Sequence, residues 1–173
     1  MGIHFRLLAV AAITLSLLAC GNNSNDAVSK KDNAPLLTAA ILGPQTVLSV
    51  QEYRAQARYA NANLKNGAMQ ARRCHACHSL DKGGPNMAGP ALYGFFGTRV
   101  GSRDRYHYSP VMRNADFVWT PRALDGWLTQ PYRFLPGNRM QFAGVMKQSN
   151  RDDLVAYLLQ VTAVLDNDED MQD

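Results

Sequence analysis

The segment Cys74-His75-Ala76-Cys77-His78 constrains this chain more than any other feature. Two thiols three positions apart, followed at once by an imidazole, form the C-x-x-C-H pattern of c-type haem attachment. Both sulfurs can add to the haem vinyl groups while His78 ligates the iron. Two other uses of paired cysteines fit less well. A structural zinc site needs four ligands, and the remaining cysteine, Cys20, lies in an N-terminal apolar stretch. A thioredoxin-like dithiol would need alternating strand and helix patterns, which are not seen here. One covalent haem c is therefore the expected cofactor.

The 173 residues suit a single domain, with 46% hydrophobic and 18% charged residues as in ordinary globular chains. Residues 1–19 stand apart. Arg6 precedes an apolar run, Leu7 to Ala19, interrupted only by Thr14 and Ser16. The run falls short of the roughly 20 residues a membrane-spanning helix needs and suits a signal peptide. It ends Leu17-Leu18-Ala19-Cys20-Gly21, which resembles the lipobox of bacterial lipoproteins, where the cysteine becomes the lipidated first residue. The alternative is plain signal cleavage after Gly21, but that would leave a lone cysteine in an exported chain. The expected location is periplasmic, anchored through Cys20, with inner or outer membrane undecided. Residues 20–34 are polar and without periodicity, a lipidated tether whose flexible stretch reaches roughly 20 Å.

Residues 35–58 form an N-terminal extension, part helical. Leu36, Leu37, Ile41, Leu42, Val47, Leu48 and Val50 are apolar, yet Gly43-Pro44 interrupts any helix. The segment is expected to pack across the domain; docking on a partner is the alternative. Residues 59–165 form the haem domain, carrying 13 Lys and Arg against 6 Asp and Glu between residues 60 and 165, while residues 166–173 make an acidic tail. A basic exported domain without an aromatic-interleaved nucleic-acid motif suits acidic protein partners, not nucleic acid, and a monomer is expected. The tail also reads as an ordinary solvated terminus.

Helical signals fall at three places. Tyr53 to Arg73 is rich in Ala, Arg, Gln and Asn and leads into the cysteine motif. Cys77 to Ser109 is punctuated by Gly83-Gly84-Pro85 and Gly89-Pro90, so it reads mostly as loop. Thr120-Pro121 starts a second helix, with Leu124, Trp127 and Leu128 on one face and Pro131 ending it. A third begins at Ser149, paired with Asp152 as a short-acid capping box, and buries Leu154, Tyr157, Leu158, Val161 and Leu165. The expected fold is all-α: three to four helices and long loops wrapped around one haem.

Candidates for the second axial ligand are His107, Met69, Met87, Met112, Met140 and Met146. Met140 lies between Pro136-Gly137 and Gly144, in an extended loop where a methionine is a poor core filler and a good ligand. The other methionines read as core filling.

Taken together, these residues resemble the class I cytochromes c, in the mitochondrial-type branch and its bacterial relatives. The resemblance rests on Cys74, Cys77, His78, Gly89-Pro90, Tyr108, Trp119 and the segment from Pro136-Gly137 to Gly144, and covers just over half the chain. It implies an electron carrier, not an enzyme, with His78 and Met140 as axial ligands and a haem site that also includes Pro90, Tyr108, Trp119, Trp127 and Phe142. In that family the carbonyl at the Pro90 position fixes the proximal imidazole, and Tyr108 and Trp119 match donors to a haem propionate. Arg73, Arg133, Arg139 and Lys147 fall around the exposed haem edge, where cations meet acidic partners. There are departures: Trp127 replaces a tyrosine, Met112 an asparagine of the internal polar network, and Thr98 an arginine near a propionate, with Arg99 adjacent. The implied role is single-electron transfer from a quinol-oxidising complex to a terminal oxidase or reductase. The alternatives are a haem peroxidase or gas-binding protein with Met140 displaced, or a fixed electron-transfer subunit of a dehydrogenase.

Overall fold

Asparagines and a capping serine break the N-terminal half of the domain into short helices. A computed structural model describes Gly2 and residues 37–164. The signal peptide, Cys20 with its tether, Leu36, Leu165 and the acidic tail lie outside the described residues. After a 3₁₀ turn at Ala39–Ile41 the helices are α1 (Val50–Ala55), α2 (Ala57–Ala60), α3 (Leu64–His75), α4 (Pro110–Asn114), α5 (Pro121–Thr129), α6 (Pro131–Phe134) and α7 (Gln148–Val161). Among the described residues the only β pairing is an isolated antiparallel bridge, Arg99 to Val118. The fold is all-α.

The single helix expected over Tyr53 to Arg73 is three. Gln56 is extended between α1 and α2, and Asn63 caps α3 by accepting from the Asn66 amide at 3.0 Å. Asparagine competes with the helix for backbone bonds and so favours its ends. α1 starts earlier than expected because Ser49 and Glu52 form a reciprocal capping box, Ser49 N donating to Glu52 Oε2 at 2.8 Å. α5 follows its sequence pattern: Thr120 accepts from the Ala123 amide, and Leu124, Trp127 and Leu128 are buried. Pro131 both ends α5 and starts α6. α7 has no capping box; Lys147 is its N-cap, and Asp152 instead accepts from Arg58 Nε at 2.6 Å. A charged partner outcompetes a short acid reaching back to its own helix end. The buried face of α7 is Leu154, Val155, Ala156, Leu158 and Leu159, with Tyr157 and Val161 only half-buried.

α3 and α7 cross at Gly67, where a Cβ would overlap the Asp153 carbonyl and crowd Tyr157. Only glycine lets the two backbones approach so closely. The crossing is flanked by Asn66 Nδ2 donating to Asp153 at 2.7 Å and to Asn150 at 3.1 Å. Below it, Arg151, 6% exposed, bonds Asp125 of α5 at 2.8 Å and the carbonyls of Val145 and Met146. Arg58 of α2 joins the same cluster through Asp125 and Asp152. One charge cluster thus ties α2, α5 and α7 to the segment leading out of the Met140 loop.

Residues 37–50 lie across this core. Leu42 is buried, Arg122 donates to its carbonyl at 2.6 Å, and Leu37 packs where Gly126 leaves room. Gln45 behaves as a short strand in miniature: its Oε1 accepts from Val118 N at 2.8 Å while its Nε2 donates to Val118 O at 2.7 Å and to Thr120 Oγ1 at 3.0 Å. The boundary drawn at residue 58 falls inside α2, which packs on the same core as the haem domain.

Candidate functional site

The two thiols and the imidazole of the opening motif sit where α3 runs out. Cys74 is in its last turn, Ala76 is the C-cap, and the Cys77 and His78 amides both donate back to the Cys74 carbonyl, at 3.0 and 2.9 Å. That turn presents all three side chains to one cavity of about 560 Å³, within the roughly 300–1,000 Å³ range of cofactor sites. Cys74 and Cys77 form no disulfide with each other, which leaves both sulfurs for thioether bonds.

His78 is held from the opposite wall. Its Nδ1 donates to the Pro90 carbonyl at 2.6 Å, which leaves Nε2 as the ligating nitrogen. Burial lowers its pKa while that bond opposes the shift, a direction that favours the neutral ring a metal needs. Gly89 makes the approach possible, because a Cβ there would overlap the His78 ring. The glycine's own amide is spent on the Cys77 carbonyl at 2.7 Å.

Met140 comes from the long loop between α6 and α7. Gly137 sits at φ 87°, where only glycine is relaxed. Asn138 then pins the turn: its Nδ2 donates to Pro131 and Leu135 carbonyls at 2.9 and 2.8 Å, and its Oδ1 accepts from Met140 N at 2.9 Å. Asn138 was not among the expected site residues; the turn pattern Pro-Gly-Asn before a methionine was the available signal. Of the other candidate axial ligands, Met112 is buried in the cavity wall, whereas His107, Met69, Met87 and Met146 are exposed and do not line it.

Pro90, Tyr108, Trp119, Trp127 and Phe142 all line the same cavity. Trp119 and Trp127 meet edge to face at 5.6 Å and continue into Phe117 and Phe134, so Trp127 serves as a wall of an aromatic stack. Burial raises the Tyr108 phenol, offset by its bond to the Arg103 backbone. Beside it Ser109, 4% exposed, has a hydroxyl with no partner, which is the orphaned polar atom a carboxylate-bearing cofactor would satisfy. Of the four cations assigned to the exposed edge, Arg73 stands over the Phe142 ring at 5.7 Å and Arg139 donates to the His107 carbonyl, both at the cavity. Arg133 and Lys147 are exposed but line no part of it: Arg133 turns along α6 to Gln130, and Lys147 caps α7. Among the described residues no cluster of His, Cys, Asp and Glu could hold a bare metal ion.

A largely apolar, partly open cavity that two cysteines and a tautomer-fixed imidazole line together with a methionine from a pinned loop defines a c-type haem protein. The cytochrome c family model matches residues 64–162, and the chain belongs to that family. The family match supports an electron carrier with covalently bound haem c. A cytochrome c homolog of Bradyrhizobium diazoefficiens is 42% identical over 98 residues, covering 56% of this chain and 53% of that one. The chain therefore spans about half the length of that relative. Cytochrome c of Theileria parva is 41% identical over 91 residues, 53% of this chain and 78% of the relative. Cytochrome c2 of Agrobacterium tumefaciens is 38% identical over 100 residues, 56% of this chain and 90% of the relative.

Proposed function

We propose that this protein is a membrane-tethered periplasmic cytochrome c with one haem, ligated by His78 and Met140, that shuttles single electrons from a quinol-oxidising complex to a terminal oxidase or reductase. The observation that carries the ligand assignment is the cavity itself, which Cys74, Cys77, His78 and Met140 share. Bound haem c supplies a one-electron couple. The protein's part is to hold it still and keep substrates off it. Pro90 and Gly89 fix the His78 ring, Asn138 fixes the Met140 backbone, and the Trp119–Trp127 stack excludes water from one wall. Ligation by both His78 and Met140 would leave the iron no site for peroxide or dioxygen. Arg73 and Arg139 at the cavity rim suit brief docking on acidic partners. The lipobox-like Leu17 to Gly21 supports anchoring through Cys20; among the described residues no helix is long and apolar enough to cross a membrane.

Optical spectra of the protein matured in a host with c-type haem machinery test the ligand set. A low-spin ferric spectrum with a weak far-red sulfur band that disappears in Met140→Ala is expected; a high-spin spectrum would overturn it and turn attention to peroxide and gas binding. For the anchor, Cys20→Ser should move the protein from the membrane to the soluble periplasmic fraction. An unchanged membrane fraction would remove the lipoprotein reading.

A further inference from the structure

We infer that Arg103 is the charge partner of a haem carboxylate in this protein, a role the sequence pattern would give to position 98 or 99. The inference rests on the covalent haem reading above. Haem carries two carboxylates, and a carboxylate enclosed by protein is costly unless a cation or several donors meet it.

Four arginines line the cavity, Arg73, Arg99, Arg103 and Arg139. Arg73, Arg99 and Arg139 are exposed, whereas Arg103 is half-buried. Arg99, the neighbour of the substituted position, is committed elsewhere: it donates to the Ala115 carbonyl at 2.9 Å and to the Arg113 carbonyl, and faces Asp116 at 3.9 Å. Thr98 is exposed and turns its hydroxyl to the Phe95 carbonyl at 2.7 Å. Arg73 lies over Phe142 and Arg139 reaches the His107 carbonyl.

Arg103 has a different setting. One guanidinium nitrogen donates to the Tyr93 carbonyl, which fixes the side chain and leaves other N–H groups of the fork for an anion. Its backbone bonds Tyr108, and Tyr108 is followed by Ser109, whose buried hydroxyl has no partner. Arg103, Tyr108 and Ser109 all line the cavity, linked by the Tyr108 bond to the Arg103 backbone and by the adjacency of Tyr108 and Ser109. That stretch of the lining is where a carboxylate fits, and Arg103 supplies the positive charge.

The test is the midpoint potential of the haem-loaded protein, measured by spectroelectrochemistry on the wild type, Arg103→Gln, Arg103→Lys and Arg99→Gln. A cation near the haem favours the reduced state, so its removal lowers the potential. Arg103→Gln should change the redox equilibrium by about tenfold, about 59 mV for one electron. Arg103→Lys should restore most of that shift and Arg99→Gln should leave the potential near the wild-type value. Equal potentials for Arg103→Gln and Arg103→Lys would reduce Arg103 to a brace for Tyr93 and overturn the inference. So would a larger shift in Arg99→Gln than in Arg103→Gln. Wild-type protein without covalent haem absorbance would instead fail the underlying cofactor reading, a result distinct from either.

Discussion

At Gly89 the space left by a missing side chain is taken by the His78 ring. Gly89→Ala should push that ring from the Pro90 carbonyl and convert most of the protein to a high-spin or misligated form, seen as loss of the low-spin absorption spectrum. Retention of the wild-type spectrum would mean that the loop, not the glycine, sets the ring. The cysteines, His78 and Met140 were readable because covalent attachment and ligation demand particular residue types at particular spacings. Ser109, Arg103 and Asn138 were not. A serine, an arginine and an asparagine in a loop have many ordinary uses, and only folding brings them to one cavity or one turn.

Helix α5 was legible in full because its cap, its apolar face and its terminating proline lie within a dozen positions and agree with one another. The break-up of residues 50–75 was not, since Ala- and Arg-rich composition favours one continuous helix, whereas Gln56, Asn63 and the Ser49–Glu52 pair act only through local capping geometry. Nor does periodicity reveal which glycine faces a neighbouring helix. At the α3–α7 crossing, Gly67→Ala should destabilise by at least about 2 kcal/mol despite the roughly 1 kcal/mol gain in helix propensity, because the backbones must separate. Thermal or denaturant unfolding would measure it; a stabilised variant would show that the crossing can relax. Arg151 makes a comparable link between elements. Arg151→Met should cost about 3 kcal/mol, since it strips the Val145 and Met146 carbonyls and one partner of Asp125 at a buried site. Urea unfolding with an unchanged midpoint would refute that.

On the scale of the molecule, two dependences follow from charge and burial. Tyr59 is 6% exposed, and burial raises its phenol to about 12. The unfolded chain therefore loses that proton first, near pH 10, so the stability the neutral phenol contributes is present below pH 10 and lost between about 10 and 12. Tyr59→Phe should flatten this part of the stability curve; identical alkaline slopes for both proteins would contradict it. The excess of 13 cations over 6 acids between residues 60 and 165 gives the second. Oxidation by an anionic reagent such as ferricyanide should slow as salt rises, and oxidation by a cationic cobalt complex should quicken. Stopped-flow rates that respond alike to salt would place the cavity rim outside the basic field.

The Gln45 clamp has a mechanical consequence. Load entering the chain ahead of residue 37 meets Leu37 against α5, the Arg122 bond to Leu42 and then three Gln45 hydrogen bonds acting together, before any of it passes along the backbone to α3 and Cys74. Those contacts divert tension into Val118, Thr120 and α5, much as a cable gland spares the terminals behind it.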